Sequence, residues 1–283
     1  MDVKLMAKAF SVASWNVEHF GAQGKRTKKP KKPIKPIIDF LAEQEADLVA
    51  VYEVRGKYVF RPIVRAMPEY QFHVTEGPQM QEILVGVRHG LSAFVTQKLE
   101  FKSGQAALRP GVLVTLMVDE QYYPLLFLHL KSMSDPKGFG LRHDMLYRAL
   151  KFRSLLDEAA GGAAQANYIF LGDLNTMGFD YPYKKHDIAA VDELAELDRR
   201  ARYRKMRRLD KSGDLTWWNG KEEYEPGSDL DHVVAADHLN FKTFDGAEVS
   251  VRGWPEEPTD SKKGKWTEKH SDHALLYFEV QKA

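Results

Sequence analysis

Six short polar segments follow apolar stretches of the sequence, and together they carry carboxylate, amide and imidazole side chains. Carboxylate and amide oxygens are ligands for hard divalent cations such as Mg²⁺ or Mn²⁺. A histidine paired with an aspartate can exchange protons with water or an alkoxide. Hydrolysis of a phosphate ester uses these groups, because it needs charge neutralisation, an activated water and support for the leaving oxygen. The segments are Ser14-Trp15-Asn16, Val51-Tyr52-Glu53, 128–132 (LHLKS), 171–175 (LGDLN), 229–232 (DLDH) and Ser271-Asp272-His273.

A site assembled from six distant segments needs strand ends as rigid platforms. Apolar runs and alternating patterns predict the strands, and apolar residues at helical spacing predict the helices. The predicted strands are 10–17, 47–54, 71–74, 83–88, 91–101, 111–118, 123–131, 167–171, 215–218, 230–235 and 274–280. The predicted helices are 34–41, 61–67, 143–160 and 187–208.

Strands and helices alternate along all 283 residues, without a repeat or a low-complexity linker. With 43% hydrophobic and 29% charged residues, the chain can bury a large core. This pattern predicts one α/β domain over residues 1–283, in which two packed β-sheets are flanked by helices.

Composition narrows the chemistry further. The sequence has no cysteine, which excludes disulfides, thiolate zinc sites and a cysteine nucleophile. No apolar run approaches the roughly 20 residues of a membrane span, and residues 1–10 hold no apolar stretch of signal-peptide length. We therefore expect a cytoplasmic protein without stable membrane association.

The sequence contains two cationic runs, although its formal net charge is only +1. Such runs can bind a phosphate backbone, although a solvated surface or an anionic lipid would explain them too. The first run, at 25–35, follows the first predicted strand, and the second, at 199–208, follows the strand that ends before Asp173. Their members are Lys25, Arg26, Lys28, Lys29, Lys31, Lys32 and Lys35, then Arg199, Arg200, Arg202, Arg204, Lys205, Arg207 and Arg208.

In this order, the six polar segments resemble the endonuclease/exonuclease/phosphatase superfamily, which includes the DNase I-like nucleases. The most specific segments are Gly172-Asp173-Leu174-Asn175 and Ser271-Asp272-His273. The resemblance spans nearly the whole chain and implies a four-layer α/β sandwich, with two mainly antiparallel sheets packed between helices. Tyr52 departs from the family, which commonly has glutamine there, so a contact behind the metal site is expected to differ.

The resemblance also implies roles for these side chains. Glu53 and Asp272 would bind a divalent metal, Mg²⁺ or Mn²⁺, and Asn16 would belong to the same metal site, where it would hold a metal-bound water or a phosphate. Asp173 would orient or deprotonate the attacking water, and Asn175 would hold a phosphoryl oxygen. Because these two residues are two positions apart, an extended segment would direct both side chains to one face.

Two histidines complete the catalytic set that the resemblance implies. His273 would be an acid–base or phosphate-stabilising group, and Asp231 would hydrogen-bond to it and set its charge. His129 would stabilise the phosphate or protonate the leaving group.

Five further residues are candidates for substrate binding. Arg109 resembles an arginine that contacts the substrate backbone in nuclease members, although a surface charge explains it equally well. Lys131 would add positive charge near the site. A strand at 215–218 would place Trp217 and Trp218 on opposite faces, and we assign the substrate side to Trp218. The remaining two candidates are Lys28 and Lys29.

These patterns predict a divalent-metal-dependent phosphodiester hydrolase, and the cationic runs favour a nuclease that cleaves DNA or RNA. The alternative is a phosphodiesterase or phosphatase acting on a lipid head group, an inositol phosphate or a nucleotide, which a near-neutral protein would suit equally well. A catalytically silent nucleic-acid-binding module is disfavoured, because no catalytic position has been lost. The catalytic residues do not select DNA or RNA, endo or exo cleavage, or one metal or two, since loops set the substrate.

Overall fold

The computed structural model describes residues 7–22, 32–79, 81–181, 186–220 and 227–282, so Lys28 and Lys29 lie outside the described residues. Within these ranges the chain forms two six-stranded sheets and five α-helices. The strands are β1 (Lys8–Asn16), β2 (Leu48–Val54), β3 (Tyr70–Val74), β4 (Glu82–Arg88), β5 (Ser92–Lys98), β6 (Gly111–Val118), β7 (Gln121–His129), β8 (Ile169–Asp173), β9 (Met206–Arg208), β10 (Asp231–Ala236), β11 (Ser250–Arg252) and β12 (Leu275–Gln281). The helices are α1 (Ile34–Ala42), α2 (Gly56–Ala66), α3 (Pro136–Ala159), α4 (Ala190–Tyr203) and α5 (Asp260–Lys269).

Each sheet contains one parallel strand pair among antiparallel pairs. The first sheet has the order β11-β12-β1-β2-β4-β3, and β1 is parallel to β2. The second sheet has the order β5-β6-β7-β8-β10-β9, and β7 is parallel to β8. Parallel neighbours end at the same edge of a sheet, so each sheet presents two adjacent carboxyl ends. The mainly antiparallel arrangement predicted from the sequence is confirmed.

Three apolar cores hold the layers together. Alternate residues of both sheets, such as Val12 on β1 and Phe127 on β7, fill the core between the sheets. Ile37 of α1 and Ile63 of α2 pack on the outer face of the first sheet. Leu146 of α3 and residues of α4 pack on the outer face of the second sheet. The order is helices, sheet, sheet, helices, which confirms the predicted four-layer sandwich.

Three predicted helices have different bounds in the structure, and the helix predicted at 61–67 is α2, which already begins at Gly56. Helix α3 begins at Pro136 rather than at residue 143, because the Asp135 side chain accepts a hydrogen bond from Gly138 N at 2.6 Å and caps the helix. The predicted helix 187–208 ends at Tyr203. Lys205 adopts a left-handed conformation with φ of 55°, and Met206–Arg208 then pairs with β10 as strand β9.

The predicted strand 215–218 is absent, and that segment instead forms single bridges from Trp217 to Ser228 and to His273. Strand β11 and helix α5 were not predicted, because β11 is only three residues long and α5 is mostly charged. A Thr259 cap, which accepts a hydrogen bond from Lys262 N, begins α5. No helix in the described part of the chain is long and apolar enough to cross a membrane.

Candidate active site

A cleft of about 350 Å³ opens where the two parallel pairs end. The ends of β1 and β2 place Asn16 and Glu53 on one wall, and the ends of β7 and β8 place His129 and Asp173 on the other. His129 and Asp173 are directly paired in the register of the second sheet. The segment before β12 contributes His273 to the same cleft. The strand topology therefore brings together residues that are far apart in sequence.

Four side chains at the base of the cleft form one network. His273 Nδ1 lies 2.8 Å from Asp231 Oδ2, so the expected contact between these residues is present. Asn16 Nδ2 donates to Asp173 Oδ2 at 2.8 Å and lies 3.4 Å from His273 Nε2. All four residues are at least nine-tenths buried, which strengthens their electrostatic coupling.

Burial and neighbouring charges shift the protonation of this network. Burial raises the pKa of Asp173, and the charges of Asp231 and Glu53 raise it further. Burial alone would lower the pKa of His273, but the carboxylates of Asp231 and Asp173 raise it above its ordinary value. The network therefore pairs a charged imidazolium with a carboxylate that can accept a proton near neutral pH.

Glu53, on the same wall of the cleft as Asn16, is held as a carboxylate. Its Oε2 accepts hydrogen bonds from His19 N at 2.9 Å and from Gln81 Nε2 at 2.6 Å. Its Oε1 lies 3.8 Å from His129 Nε2. Burial alone would raise the pKa of Glu53, but the hydrogen bonds from His19 hold it well below its usual range. Glu53 therefore carries a negative charge into the cleft.

The donors in this part of the cleft fit a hard divalent cation. Asn16 Oδ1 is buried and has no hydrogen-bond partner among the described residues, although Asn16 Nδ2 is fully engaged. Asp272 lines the same cleft as Glu53, and its Oδ2 accepts from Trp217 Nε1 at 2.9 Å. Two carboxylates and an amide oxygen make a donor set that Mg²⁺ or Mn²⁺ prefers.

Asp173, Asp231 and His273 form a second group of possible ligands, whose ligand atoms lie within 4.8 Å of one another. One contact within this group is already a hydrogen bond, between His273 Nδ1 and Asp231 Oδ2. Asn16 Oδ1 has no such partner among the described residues, so Glu53, Asp272 and Asn16 remain the other candidate donor set.

His129 is connected to Arg109 rather than to solvent. Arg109 Nη2 donates to His129 Nε2 at 2.8 Å, and the same nitrogen lies 3.2 Å from Gln81 Oε1. Burial and then the Arg109 charge lower the pKa of His129 well below its ordinary value. His129 is therefore a neutral acceptor that holds Arg109, and Arg109 reaches the site through His129 and Gln81 rather than from an exposed loop.

Tyr52 and Gly172 are matched behind the catalytic network. The Tyr52 hydroxyl is within 2.9 Å of Ser14 Oγ, and the tyrosine is fully buried. Gly172 has φ of 132°, and a Cβ atom there would lie 2.1 Å from Leu128 O and 2.6 Å from Tyr52 Oη. Only glycine fits this position, because a Cβ would overlap the Leu128 carbonyl and the Tyr52 hydroxyl and because this φ is strained for other residues.

Asn175 reaches the cleft by a different geometry from the one predicted. Strand β8 ends at Asp173, and Asn175 adopts a left-handed conformation with φ of 51°. Its N–H donates to Asp173 Oδ1 at 3.0 Å, and its Nδ2 donates to Leu130 O at 3.3 Å. The prediction of an extended segment was wrong, since a local turn places both side chains in the cleft.

Trp217, not Trp218, faces the cleft. The Trp217 ring lines the cleft and donates to Asp272, whereas Trp218 packs against the core between the sheets and lies 5.8 Å from the Trp254 ring. The two tryptophans do face different surroundings, as expected, but the assignment of Trp218 to the substrate side is corrected. An alternating pattern gives two faces without saying which one is buried.

Thr216 fixes this segment against two others. Its Oγ1 accepts from Leu230 N at 2.9 Å and Asp231 N at 3.0 Å, and its carbonyl accepts from Ala274 N at 2.7 Å. Thr216 therefore sets the distance between Asp231 and the segment that carries His273. Sequence reasoning missed Thr216, Gln81 and His19, because such polar residues at strand ends occur throughout any sequence.

The remaining candidates lie at or away from the rim. Lys131 is partly exposed after β7, where burial and the Arg109 charge lower its pKa. In the first cationic run, Lys32 forms an ion pair with Glu18, a cleft residue, at 2.6 Å. The second run lies away from the cleft, on the carboxyl-terminal half of α4 and on β9, and several of its arginines are paired with acids such as Glu196, Asp198 and Glu248.

Comparisons with known proteins support this architecture. No protein-family model and no curated protein matches the sequence. A solved endonuclease/exonuclease/phosphatase from Beutenbergia cavernae is 14% identical, with a TM-score of 0.60, and the match covers 97% of this chain and 72% of that one. This chain has the endonuclease/exonuclease/phosphatase fold.

Other solved proteins with the endonuclease/exonuclease/phosphatase fold differ in their ligands. D. rerio TDP2 complexed with a single-strand DNA product is 16% identical, with a TM-score of 0.60, and the match covers 96% of this chain and 99% of that one. A mannosyl-6-phosphatase from Bacteroides thetaiotaomicron is 13% identical, with a TM-score of 0.58 and coverage of 96% and 99%. The shared fold thus hosts phosphate esters of different sizes.

Proposed function

We propose that this protein is a divalent-metal-dependent phosphodiester hydrolase, and that its substrate is DNA or RNA. The observation that carries the proposal is the convergence of two sets of groups in one cleft. Asn16 connects them, because its Nδ2 binds Asp173 and its buried Oδ1 has no partner among the described residues. Glu53 and Asp272 would hold Mg²⁺ or Mn²⁺ beside that oxygen, where the cation would neutralise charge on the phosphate.

The protein groups then divide the proton transfers. Asp173 would accept a proton from the attacking water, because its raised pKa suits a base near neutral pH. The His273 imidazolium, held by Asp231, would stabilise negative charge on the phosphoryl oxygens. Asn175 would donate to a phosphoryl oxygen, and neutral His129 would orient Arg109 toward the same group.

Two observations support a nucleic-acid substrate. The segment that carries Lys28 and Lys29 connects Ala22 to Lys32, and Lys32 is paired with a cleft residue, Glu18. Lys32 therefore places one cation of the run at 25–35 at the rim of the cleft. In addition, Trp217 offers an aromatic ring in the cleft on which a base could stack.

A small phosphate ester is the second candidate, because the described lining of the cleft offers no lysine or arginine to bind the further phosphates of a polymer. The described lining holds the acids Glu18, Glu53, Asp173 and Asp272 but no lysine or arginine. A volume of about 350 Å³ is also enough for one nucleotide or sugar phosphate. The candidates in this class are a lipid head group, an inositol phosphate, a sugar phosphate or a nucleotide.

One assay separates these candidates. The full chain is incubated with Mg²⁺ or Mn²⁺ and with plasmid DNA, single-stranded DNA, RNA, a chromogenic phosphodiester, an inositol phosphate and mannose 6-phosphate. The proposal expects metal-dependent cleavage of at least one polymer, abolished by EDTA. Turnover of a small ester without cleavage of either polymer would instead establish the second candidate, and no turnover of any substrate would support a silent binding module.

The cationic segment is tested separately by binding. Each phosphate contact on a single strand contributes about 0.7 to the slope of log affinity against log salt. Changing Lys28, Lys29, Lys31 and Lys32 to alanine should flatten that slope for an Asp173→Asn variant bound to labelled DNA or RNA. An unchanged slope would make the segment an ordinary solvated surface.

A further inference from the structure

A second groove runs between α3 and α4, in the helical layer that covers the outer face of the second sheet. The part of the groove beside the carboxyl-terminal end of α4 has a volume of about 390 Å³. The floor is Leu150, and no acidic residue is among the described residues that line this part. The lining residues are Tyr147, Leu150, Lys151, Arg199, Arg200, Tyr203 and Arg204. Four cations and two aromatic rings therefore face one depression.

The positive charge of this part of the groove is only partly cancelled by neighbouring acids. Arg199 and Arg200 share a single carboxylate, that of Glu196. Arg204 donates to the Ser154 hydroxyl at 2.7 Å, which fixes the guanidinium between the two helices without neutralising it. The groove therefore has four cationic side chains, including the exposed Lys151, against the one carboxylate of Glu196. This excess of positive charge favours an anionic ligand.

The aromatic rings indicate which anion. Tyr203 is 82% exposed and Tyr147 is 47% exposed, so both rings are accessible to a ligand. The Arg204 guanidinium lies 5.6 Å from the Tyr203 ring centre and so keeps that ring beside the cations. Exposed rings interleaved with cations are the pattern that binds unpaired bases and their phosphates.

We propose that this groove, lined by Lys151, Arg199, Tyr203 and Arg204, is an accessory binding site for single-stranded nucleic acid. The inference rests on the proposed function in one respect, since it takes the substrate to be a polynucleotide. The groove lies along α4, the helix that also carries Glu193. The Glu193 carboxylate accepts a hydrogen bond from Gly178 N, and Gly178 follows the cleft residue Met177. Ten residues of helix, or about 15 Å, separate Glu193 from Tyr203.

The test measures binding of a labelled oligothymidylate of about 20 nucleotides to the full chain in EDTA, where no metal-dependent cleavage takes place. Lys151→Gln with Arg199→Gln removes two groove cations at exposed positions. Arg202→Gln with Lys205→Gln is the matched control, because these exposed cations lie on or next to the same helix and do not line the groove. We expect the groove pair to weaken binding about tenfold or more and to lower the salt slope by about 1.4, and the control pair to do neither.

Stacking is tested at Tyr203, whose exposure makes unfolding by substitution implausible. Tyr203→Leu should weaken binding at least about fivefold, whereas Tyr203→Phe should bind like the wild type. Equal losses for the groove and control pairs, or equal binding by the Tyr203→Leu variant and the wild type, would overturn the proposal. Displacement of the oligonucleotide by polyglutamate at equal charge would also overturn it, because the groove would then recognise charge alone.

This outcome is independent of the catalytic proposal. If the enzyme cleaves nucleic acid but the groove variants bind normally, only the accessory site is wrong. If the groove variants lose binding but no polymer is cleaved under any metal, the accessory site stands and the proposed nuclease activity is wrong.

Discussion

Asn16 is the residue on which the proposed chemistry depends most. Its amide cannot ionise, so its two polar atoms keep different roles at every pH. The nitrogen donates to Asp173 at 2.8 Å, and the buried oxygen has no partner among the described residues. Leaving a buried polar atom unpaired costs free energy, on the order of 1–3 kcal/mol. A cation at that oxygen would recover this cost.

Replacing Glu53 with glutamine tests the metal site. The amide keeps the shape of the side chain but removes the anionic oxygen, so the Mg²⁺ or Mn²⁺ concentration for half-maximal activity should rise at least about tenfold. Isothermal titration of the metal gives a second measurement that does not depend on activity. Glu76→Gln, at an exposed position, is the control. Unchanged metal affinity in Glu53→Gln, together with its loss in Asp231→Asn, would move the metal to the second ligand group.

The pair His273 and Asp231 should act as one catalytic unit. His273→Ala should lower kcat at least about a hundredfold, because it removes the charged group that faces the phosphate. Asp231→Asn should also lower kcat, since the amide no longer favours the imidazolium. The double variant should be little worse than the worse single variant, because both changes remove the same interaction. Additive losses in kcat would show that the two residues act separately.

At the scale of secondary structure, the central strands were predictable and the segments between them less so. Strands β1, β2, β7, β8 and β12 are apolar runs buried on both faces, so composition alone predicts them. The carboxyl ends of β1, β2, β7 and β8 carry Asn16, Glu53, His129 and Asp173, and β12 begins just after His273, which explains why most of the cleft could be anticipated. Short strand β9 could not be anticipated, because its three residues depend on pairing with β10 rather than on a local pattern.

Contacts across the chain determine the remaining features of the site. Trp217 faces the cleft because bridges to Ser228 and His273 orient its segment. Arg109 belongs to the site because His129 accepts its hydrogen bond. The local sequence around Trp217 or Arg109 does not predict either contact, since both contacts depend on residues that are distant in sequence.

A buried ion pair fixes the loops that follow β7 and β8. Arg142 on α3 binds Glu193 on α4 at 2.7 Å, and both side chains are buried. Arg142 also donates to the carbonyls of Met133 at 3.0 Å and Gly178 at 2.7 Å, while Glu193 accepts from Gly178 N at 2.8 Å. Two helices of the outer layer thereby hold two loops at the rim of the cleft.

Arg142→Met should therefore destabilise the protein strongly. Breaking a buried ion pair from one side costs about 3–5 kcal/mol, because the other charge is left without a partner. Urea unfolding measures this loss, and amide exchange should show earlier opening at residues 131–133 and 177–178. Arg148→Met is the matched control on α3, since its exposed pair with Asp144 should contribute less than about 1 kcal/mol. Equal losses in the two variants would contradict the role of the buried pair.

Across the whole molecule, charges are separated by position. Acids are concentrated in the described part of the cleft, and cations are concentrated in the groove between α3 and α4. A net charge of +1 conceals this separation. A polyanion would therefore approach the groove and the segment at 25–35 more readily than the cleft itself, and a cation at Glu53 and Asp272 would reverse the sign of the cleft.

Buried histidines should make the folded state sensitive to acid. Burial and then the Lys211 and Arg208 charges lower the pKa of fully buried His232 well below its ordinary value, and its Nε2 is within 2.8 Å of Thr176 Oγ1. The unfolded chain binds a proton at this histidine below about pH 6.5, whereas the folded chain does not. Stability from this group is therefore fully present above that pH and is lost as the pH falls, by about 1.4 kcal/mol per pH unit.

His232→Gln isolates this effect from the other titrating groups. The variant should be less stable than the wild type at pH 7.5, because the packing and the hydrogen bond to Thr176 change. Between about pH 6.5 and 5.5 the wild type should lose about 1 kcal/mol that the variant does not lose, so the difference between them should shrink. Urea unfolding at several pH values measures it, with His89→Gln as the control at an exposed histidine. A difference that stays constant across this range would show that His232 takes up its proton in the folded state as readily as in the unfolded chain.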